Sequence, residues 1–218
     1  MSSLPPPKAM VFDWDNTLVD TFPTIHAALN VVQEAMGVEK WTLEEAHVKV
    51  RQSVRDVFPV MFGDRWEEAR EIFYRAFEDV HLRELRVLPG AEDLFDHLRA
   101  AGVTLSVVSN KTARYLRREA EHLGWSARFH RVVGATDAAR DKPAPDPVHL
   151  SLQGAGVMAG PEVWFVGDTD IDLECAHHAG CVPVLVRKSP PLPGEFPAFP
   201  PILHVHDLFE LKTLVKRN

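Results

Sequence analysis

Only two cysteines, Cys175 and Cys181, occur in 218 residues. That is too few for a disulfide framework and agrees with a reducing, cytoplasmic setting. Both thiols read as packing residues, the usual fate of a small free thiol. No apolar run approaches the roughly 20 residues that cross a bilayer as a helix, so no membrane partner is expected. The first ten residues hold Pro5, Pro6 and Pro7 in place of the basic-then-apolar order of a secretory signal, and read as a short disordered leader. Basic charge is also short. With 24 Lys and Arg against 31 Asp and Glu, the formal net charge is −7. That argues against a surface tracking nucleic-acid phosphates, while a local basic pocket for one small phosphorylated ligand remains compatible with it. Small-molecule chemistry is what these absences leave, in a monomer or homodimer.

What is present is a rhythm. Short apolar runs, Ala9 to Phe12, Thr104 to Val108, Arg131 to Gly134, Val163 to Val166 and Val182 to Val186, each end in a polar cluster and lead into helical patterns. This is the signature of an α/β chain with a doubly wound parallel sheet. Helices are predicted from Ala91 to Ala101, stopped by Gly102, and from Thr112 to Leu123, stopped by Gly124. Between the first strand and Pro89 the alternation breaks, and about seventy residues show helical periodicity alone. The expected organisation is therefore a core of residues 1–20 and 86–218 with an inserted α-helical cap subdomain at 21–85. Within the insertion, Thr42 with Glu45 and Asp64 with Glu67 have the spacing of N-terminal caps, predicting helix starts near residues 43 and 65. Phe58, Phe62, Trp66, Phe73, Tyr74 and Phe77 have helical spacing and read as the interior of that subdomain. The proline-rich stretch from Ser189 to Pro201 predicts extended loop, and a last strand and helix between Ile202 and Lys216 close the sheet edge.

In open parallel sheets ligands bind at the carboxyl ends of strands, so polar residues directly after the apolar runs are the ones to inspect. The first strand delivers Asp13 and Asp15, the second Ser109 and Asn110, a loop after the third Lys142, and the fourth Asp168 and Asp172. Ordinary solvated turns would use lysine and glutamate here about as often as aspartate; these do not. A lone Asp-x-Asp is more often a polar turn. Bringing Asp13 and Asp168 into one crevice, however, sets like charges ~4 Å apart, a repulsion of about 4 kcal/mol at an effective dielectric near 20. A bound cation resolves that conflict, and carboxylates without cysteine or histidine suit a hard ion such as Mg²⁺. His177 and His178 are adjacent on a helix, point to different faces, and read as packing or exposed residues. Lys111 and Arg114 read as solvated positions of a helix.

The four segments Asp13-Trp14-Asp15-Asn16-Thr17-Leu18, Val107-Val108-Ser109-Asn110, Lys142-Pro143-Ala144-Pro145 and Gly167-Asp168-Thr169-Asp170-Ile171-Asp172, in this order, resemble the haloacid dehalogenase superfamily. Within it they are most similar to phosphatases related to phosphoglycolate phosphatase. The resemblance covers most of the chain, and the helical insertion looks like the family's cap. It implies that Asp13 is a nucleophile forming an aspartyl-phosphate, and that Asp15 is the general acid and base, its carbonyl also touching the metal. It implies that Asp13 and Asp168 hold Mg²⁺, with Asp172 fixing a coordinated water or Lys142. Ser109, Asn110 and Lys142 would hold phosphoryl oxygens, with Thr17 also on the substrate side. In the cap, Arg51, at i, i+4 spacing from Arg55, could meet a second anionic group of the substrate. Asp15 separates the branches: dehalogenases lack a carboxylate there, having no leaving alcohol to protonate, so the resemblance implies phosphate-ester hydrolysis of a small phosphorylated metabolite. A phosphosugar mutase keeps both aspartates, and a noncatalytic binding member would keep the fold alone. Asn16 stands where the family usually has glycine, and asparagine is the non-glycine residue that best tolerates positive φ. Trp14 is bulkier than the family's usual residue and is expected to pack beneath the loop or against the cap.

Overall fold

The structure, a computed structural model, describes residues 4–49 and 54–216. Contacts divide the chain into two units: Met1–Val19 together with Val87–Asn218, and Asp20–Arg86. The strands in chain order are β1 (Ala9–Phe12), β2 (Val19–Asp20), β3 (Arg86–Val87), β4 (Thr104–Thr112), β5 (Arg131–Ala135), β6 (Val163–Gly167), β7 (Val182–Val186) and β8 (Leu203–Val205). The helices are α1 (Phe22–Met36), α2 (Leu43–Lys49), α3 (Val54–Phe62), α4 (Trp66–Glu84), α5 (Ala91–Ala100), α6 (Ala113–His122), α7 (Asp146–Leu152), α8 (Asp170–His178) and α9 (Leu208–Leu214). The two short strands at the junctions, β2 and β3, pair with each other.

The larger unit is built on a six-stranded sheet in the order β5-β4-β1-β6-β7-β8, and its strand pairs run parallel. This is the doubly wound α/β architecture the alternation predicts. β1, β6 and β7 are buried at every position, which is why they read as unbroken apolar runs and not as alternating ones. The chain leaves β1 for β4 on one side and later returns to β6 on the other. β1 is thus flanked by the strands at which the winding reverses, and the crevice above their carboxyl ends is the place for a ligand. The register aligns that edge: Phe12 is opposite Val107 on one side and Val166 on the other, and the Asp13 N–H donates to the Val166 carbonyl at 2.9 Å.

One face of the sheet is packed by an aromatic cluster. Phe95 of α5 lies edge-on to Phe12, Trp125 and Phe129 at centroid distances of 6.1, 5.0 and 5.1 Å, and Trp14 meets Trp125 at 5.6 Å. Phe12, Trp14, Phe95 and Trp125 are each at most 1% exposed. Each buried ring of this kind contributes about 2–3 kcal/mol of transfer free energy, so the loop after β1 is anchored by Trp14 from below. On the other face, Val108, Val133, Val148, Leu152, Phe165 and Cys175 form a second apolar cluster. Cys175 and Cys181 are both buried free thiols, and burial pushes their pKa values up to about 12 and about 11. Both lie in the packed interior, as expected.

The elements differ from the sequence expectation mainly at their ends. β4 runs to Thr112, four residues past the predicted Val108, with a register shift between Val108 and Thr112. α6 begins after it, and its stop by Gly124 is as predicted, with φ 69° there. In the Asp20–Arg86 unit, α1 packs on α4 and α3 lies against α4. The Thr42–Glu45 cap is present: the Thr42 N–H donates to Glu45 Oε2 at 2.8 Å, and the Glu45 N–H to Thr42 Oγ1 at 3.2 Å. The Asp64–Glu67 cap is not. A 3₁₀ turn at Gly63–Arg65 precedes α4, which starts at Trp66 without a side-chain cap, and Arg65 pairs with Glu68 instead. Of the six aromatics expected inside, Phe58, Phe73 and Phe77 are buried, whereas Tyr74 is 43% exposed. Trp66 is half-buried, with the Arg70 guanidinium 5.1 Å over its ring.

Candidate active site

The loop Asp13–Leu18 turns sharply because Trp14 accepts at its carbonyl from the Leu18 and Val19 N–H groups at 3.0 and 3.2 Å, while the Asn16 N–H donates to the Val19 carbonyl at 2.7 Å. Asn16 has φ 59°, in the left-handed region. That explains how asparagine serves at a glycine position, since among side-chain residues it enters this region at least cost. The turn aims Asp13 and Asp15 at the same cavity of about 300 Å³. Asn16, Ser109, Asn110, Lys111, Lys142, Asp168, Thr169, Ile171 and Asp172 also line it.

Lys142 is the centre of this cavity's floor. Its Nζ donates to Asp13 Oδ1 at 2.6 Å and to Asp172 Oδ1 at 2.7 Å, with all three side chains under one-tenth exposed. The ammonium also lies 5.7 Å over the Phe165 ring. Burial works against the charged ammonium, but Asp13 and Asp172 outweigh it and hold the pKa well above the ordinary lysine value. Asn110 positions the lysine's backbone: its Nδ2 donates to the Lys142 carbonyl at 2.9 Å and its Oδ1 accepts from the Lys142 N–H at 3.0 Å. Both ends of the Asn110 side chain are therefore committed to holding Lys142.

Asp172 has both oxygens engaged, Oδ1 with Lys142 and Oδ2 with the N–H and hydroxyl of Thr169 at 3.0 and 2.7 Å. Of the two roles open to it, fixing Lys142 is the one seen in this arrangement. The carboxylate can reach down because residue 167 is glycine: a Cβ there would lie 2.3 Å from the Asp172 Cβ and Cγ. Asp13, Asp168 and Asp172 each offer an oxygen within 4.8 Å of the others'. Burial pushes the Asp13 carboxyl up to about 7, against the pull of Lys142 and with help from Asp172 and Asp15. Burial, then Asp13 and Asp172, push Asp168 up to about 8. Three carboxylates brought this close, two of them disfavoured as anions by burial, are the complement of a dication. An all-oxygen set of this kind fits a hard one.

Ser109 is 5% exposed and lines the cavity, its Oγ accepting from the Lys111 N–H at 3.2 Å. Thr17 is fully buried and is not among the residues lining the cavity; its hydroxyl is directed to Asp168 Oδ1 at 3.4 Å. Arg51 lies outside the described residues, as does the side chain of Arg55. His177 and His178 meet the carbonyls of Pro200 and Pro143 at 2.8 and 3.0 Å.

Lys111 corrects the sequence reading. It lies on β4, not on a solvated helix, in the irregular stretch between Val108 and Thr112 where a register shift re-aims side chains. Its side chain is 8% exposed, and its Nζ donates to Asp15 Oδ1 at 2.8 Å and to Glu119 Oε2 at 2.7 Å. Glu119 is fully buried and also accepts the Trp14 indole N–H at 2.7 Å, which gives Trp14 its role beneath the loop. The missed signal was in α6. Ala113, Leu116 and Ala120 mark its apolar stripe, Glu119 falls on that stripe, and a buried glutamate requires a cation.

A family model described as haloacid dehalogenase-like hydrolase matches residues 10–186. The phosphoglycolate phosphatase of Xanthomonas campestris pv. campestris is 29% identical over 178 residues, covering 80% of each chain. That of Chromobacterium violaceum is 28% identical over 188 residues, covering 82% of this chain and 84% of its own. Among solved structures, a haloacid dehalogenase-like family hydrolase from Streptococcus pneumoniae superposes with a TM-score of 0.82 at 21% identity, over 99% of this chain and 100% of its own. At that identity the superposition speaks for the fold.

Proposed function

The chain belongs to the haloacid dehalogenase-like hydrolases, and from that premise we propose that it is a Mg²⁺-dependent phosphatase hydrolysing a small phosphomonoester through an aspartyl-phosphate on Asp13. The observation that carries this reading is the pairing of a lysine-held carboxylate, Asp13 against Lys142 at 2.6 Å, with a second carboxylate, Asp15, on the same cavity. One carboxylate can attack phosphorus while the other manages the leaving group's proton. The names of the Xanthomonas and Chromobacterium relatives support the phosphate-ester class.

In the first half-reaction an Asp13 oxygen attacks phosphorus and the bond to the leaving oxygen breaks. Asp15 gives that oxygen its proton, so an alcohol departs and the phosphoryl group rests on Asp13. In the second, Asp15 takes a proton from the attacking water, the acyl-phosphate linkage opens, and inorganic phosphate leaves with Asp13 restored. Lys142 places positive charge where the phosphoryl oxygens approach the nucleophile, and Ser109 lines the same wall. Asp13 and Asp168, with the Asp15 carbonyl, would hold Mg²⁺, which when bound neutralises phosphoryl charge and orients the group for in-line transfer. Asn110 and Asp172 keep Lys142 in place, and Thr17 supports Asp168. Arg51 would meet a second anionic group of the substrate.

The test is a panel of phosphometabolites with and without Mg²⁺, read as phosphate release. Wild type should be active only with the ion, and Asp13→Asn should lose at least ~10⁴-fold in kcat. An undiminished rate in Asp13→Asn sinks the assignment of the nucleophile. Transfer of phosphate between two positions of one sugar, with little free phosphate, identifies a mutase instead.

A further inference from the structure

Lys111 lines the cavity but is tied on its far side to an acid no proposed step uses. Glu119 is fully buried, held from one direction by the Lys111 ammonium at 2.7 Å and from another by the Trp14 indole at 2.7 Å. Trp14 is itself immobilised against Trp125, whose indole donates to Glu92 Oε1 at 3.0 Å. The result is a fixed ladder, Trp14 to Glu119 to Lys111 to Asp15, ending 2.8 Å from Asp15 Oδ1. Asp15 needs such an anchor. Its side chain is 33% exposed at the cavity, and a carboxylate with no fixed contact would rotate among several orientations.

We infer that Lys111 is a positioning residue for proton transfer: its ammonium occupies Oδ1 of Asp15 and so reserves Oδ2 as the oxygen that delivers and collects the proton. An ammonium can only donate, so the oxygen it holds must be an acceptor, and the proton of a protonated Asp15 sits on Oδ2. Oδ2–H then passes its proton to the leaving oxygen as the phosphorus–oxygen bond breaks, and Oδ2 takes one back from water in the second half-reaction. Glu119 neutralises the lysine and restrains it from turning toward the substrate's phosphate. The inference rests on Asp15 acting as general acid and base.

The experiment compares kcat/KM for two esters, the best alkyl phosphate of the panel and dinitrophenyl phosphate, whose leaving phenolate departs without a proton. Proteins are wild type, Asp15→Asn, Lys111→Met, and the double variant Lys111→Met with Glu119→Gln, which removes both buried charges together and guards against misfolding. Inorganic phosphate is measured as an inhibitor of each. Loss of a positioned proton donor is expected to lower the alkyl-ester value by ~10²-fold and the aryl-ester value by less than about 3-fold, in both Lys111 variants, with phosphate inhibition unchanged within about 2-fold. Equal losses on both esters would mean a merely structural lysine and overturn the inference. So would phosphate inhibition weakened by about tenfold, which would make Lys111 a phosphoryl contact. If Asp15→Asn itself shows no preference between the esters, the assignment of Asp15 fails first. If Asp15→Asn discriminates and the Lys111 variants do not, only the inference fails.

Discussion

Two lysines line the cavity in matching arrangements. Lys142 bridges Asp13 and Asp172, and Lys111 bridges Asp15 and Glu119. Each joins one aspartate of the β1 loop to a second, buried carboxylate, yet their surroundings differ. Around Lys142 a third carboxylate, Asp168, adds negative charge, and burial pushes both Asp13 and Asp168 toward the protonated form. Around Lys111, Asp15 is one-third exposed, Glu119 also accepts the Trp14 indole N–H, and although burial works against the ammonium, Asp15 and Glu119 hold Lys111 above its ordinary value. One bridge lies in a cluster of three carboxylates whose oxygens come close enough to share a hard cation. The other is tied to the Trp14 indole beneath the loop, which suits a group whose task is geometry.

The largest effect expected from breaking the symmetry is at Lys142. Lys142→Met should lower kcat by ~10²–10³-fold, the scale of removing one preorganised donor from a developing phosphoryl charge. Stability separates the bridges further. Removing Lys142 strands the buried Asp13 and Asp172, and removing Lys111 strands the buried Glu119, at about 3–5 kcal/mol for each variant. On the proposed reading Mg²⁺ would bind at Asp13 and Asp168, beside Lys142, so it should restore much of the melting temperature of Lys142→Met and none of that of Lys111→Met. Thermal melts with and without the ion check this, and equal rescue of both variants would show that the bridges are not distinct.

The same contrast explains what was legible beforehand. The strand-end aspartates and Lys142 stand in short local patterns, Asp13-Trp14-Asp15 and Lys142-Pro143-Ala144-Pro145, and parallel register carries such patterns to one edge automatically. Glu119 and Trp14 are 105 residues apart, and no local spacing encodes their contact. The helix predicted from Thr112 would put Lys111 at a solvated helix end, whereas β4 continues through Thr112 to pair with Ala135 across a register shift. The Asp64–Glu67 cap failed for a similar reason: Arg65 reaches Glu68 and the turn tightens to 3₁₀ before α4 begins. Local chemistry competing for the same groups is invisible to a spacing rule.

A second, intermediate effect concerns the charge deficit itself. Without the ion, burial pushes native Asp13 and Asp168 up to about 7 and about 8, while aspartates of an unfolded chain lie near ~4. Between these values the native state binds more protons than the unfolded state, so stability must fall as pH rises from about 4 to about 8. A loss of about 3 kcal/mol or more in urea unfolding is expected over that window, and saturating Mg²⁺ should flatten it. A chelated protein whose stability is level or rising there would contradict the deficit, and with it the contrast drawn with the Lys111 bridge.

The smallest effect tests how far the Lys111 bridge depends on its last rung. Trp14→Phe keeps an aromatic ring against Trp125 but deletes the indole N–H that Glu119 accepts. A lost hydrogen bond to a buried charged acceptor costs about 1.5–2 kcal/mol of stability. Glu119 still holds Lys111 at 2.7 Å, so the lysine stays on Asp15 and the alkyl-to-aryl preference in kcat/KM should move by no more than about 2-fold. Stability lost without loss of preference would place Trp14 in the foundation and Lys111 in the chemistry. A preference that collapses along with stability would mean that Glu119 cannot hold the lysine alone, and that the ladder acts as one unit from Trp14 to Asp15.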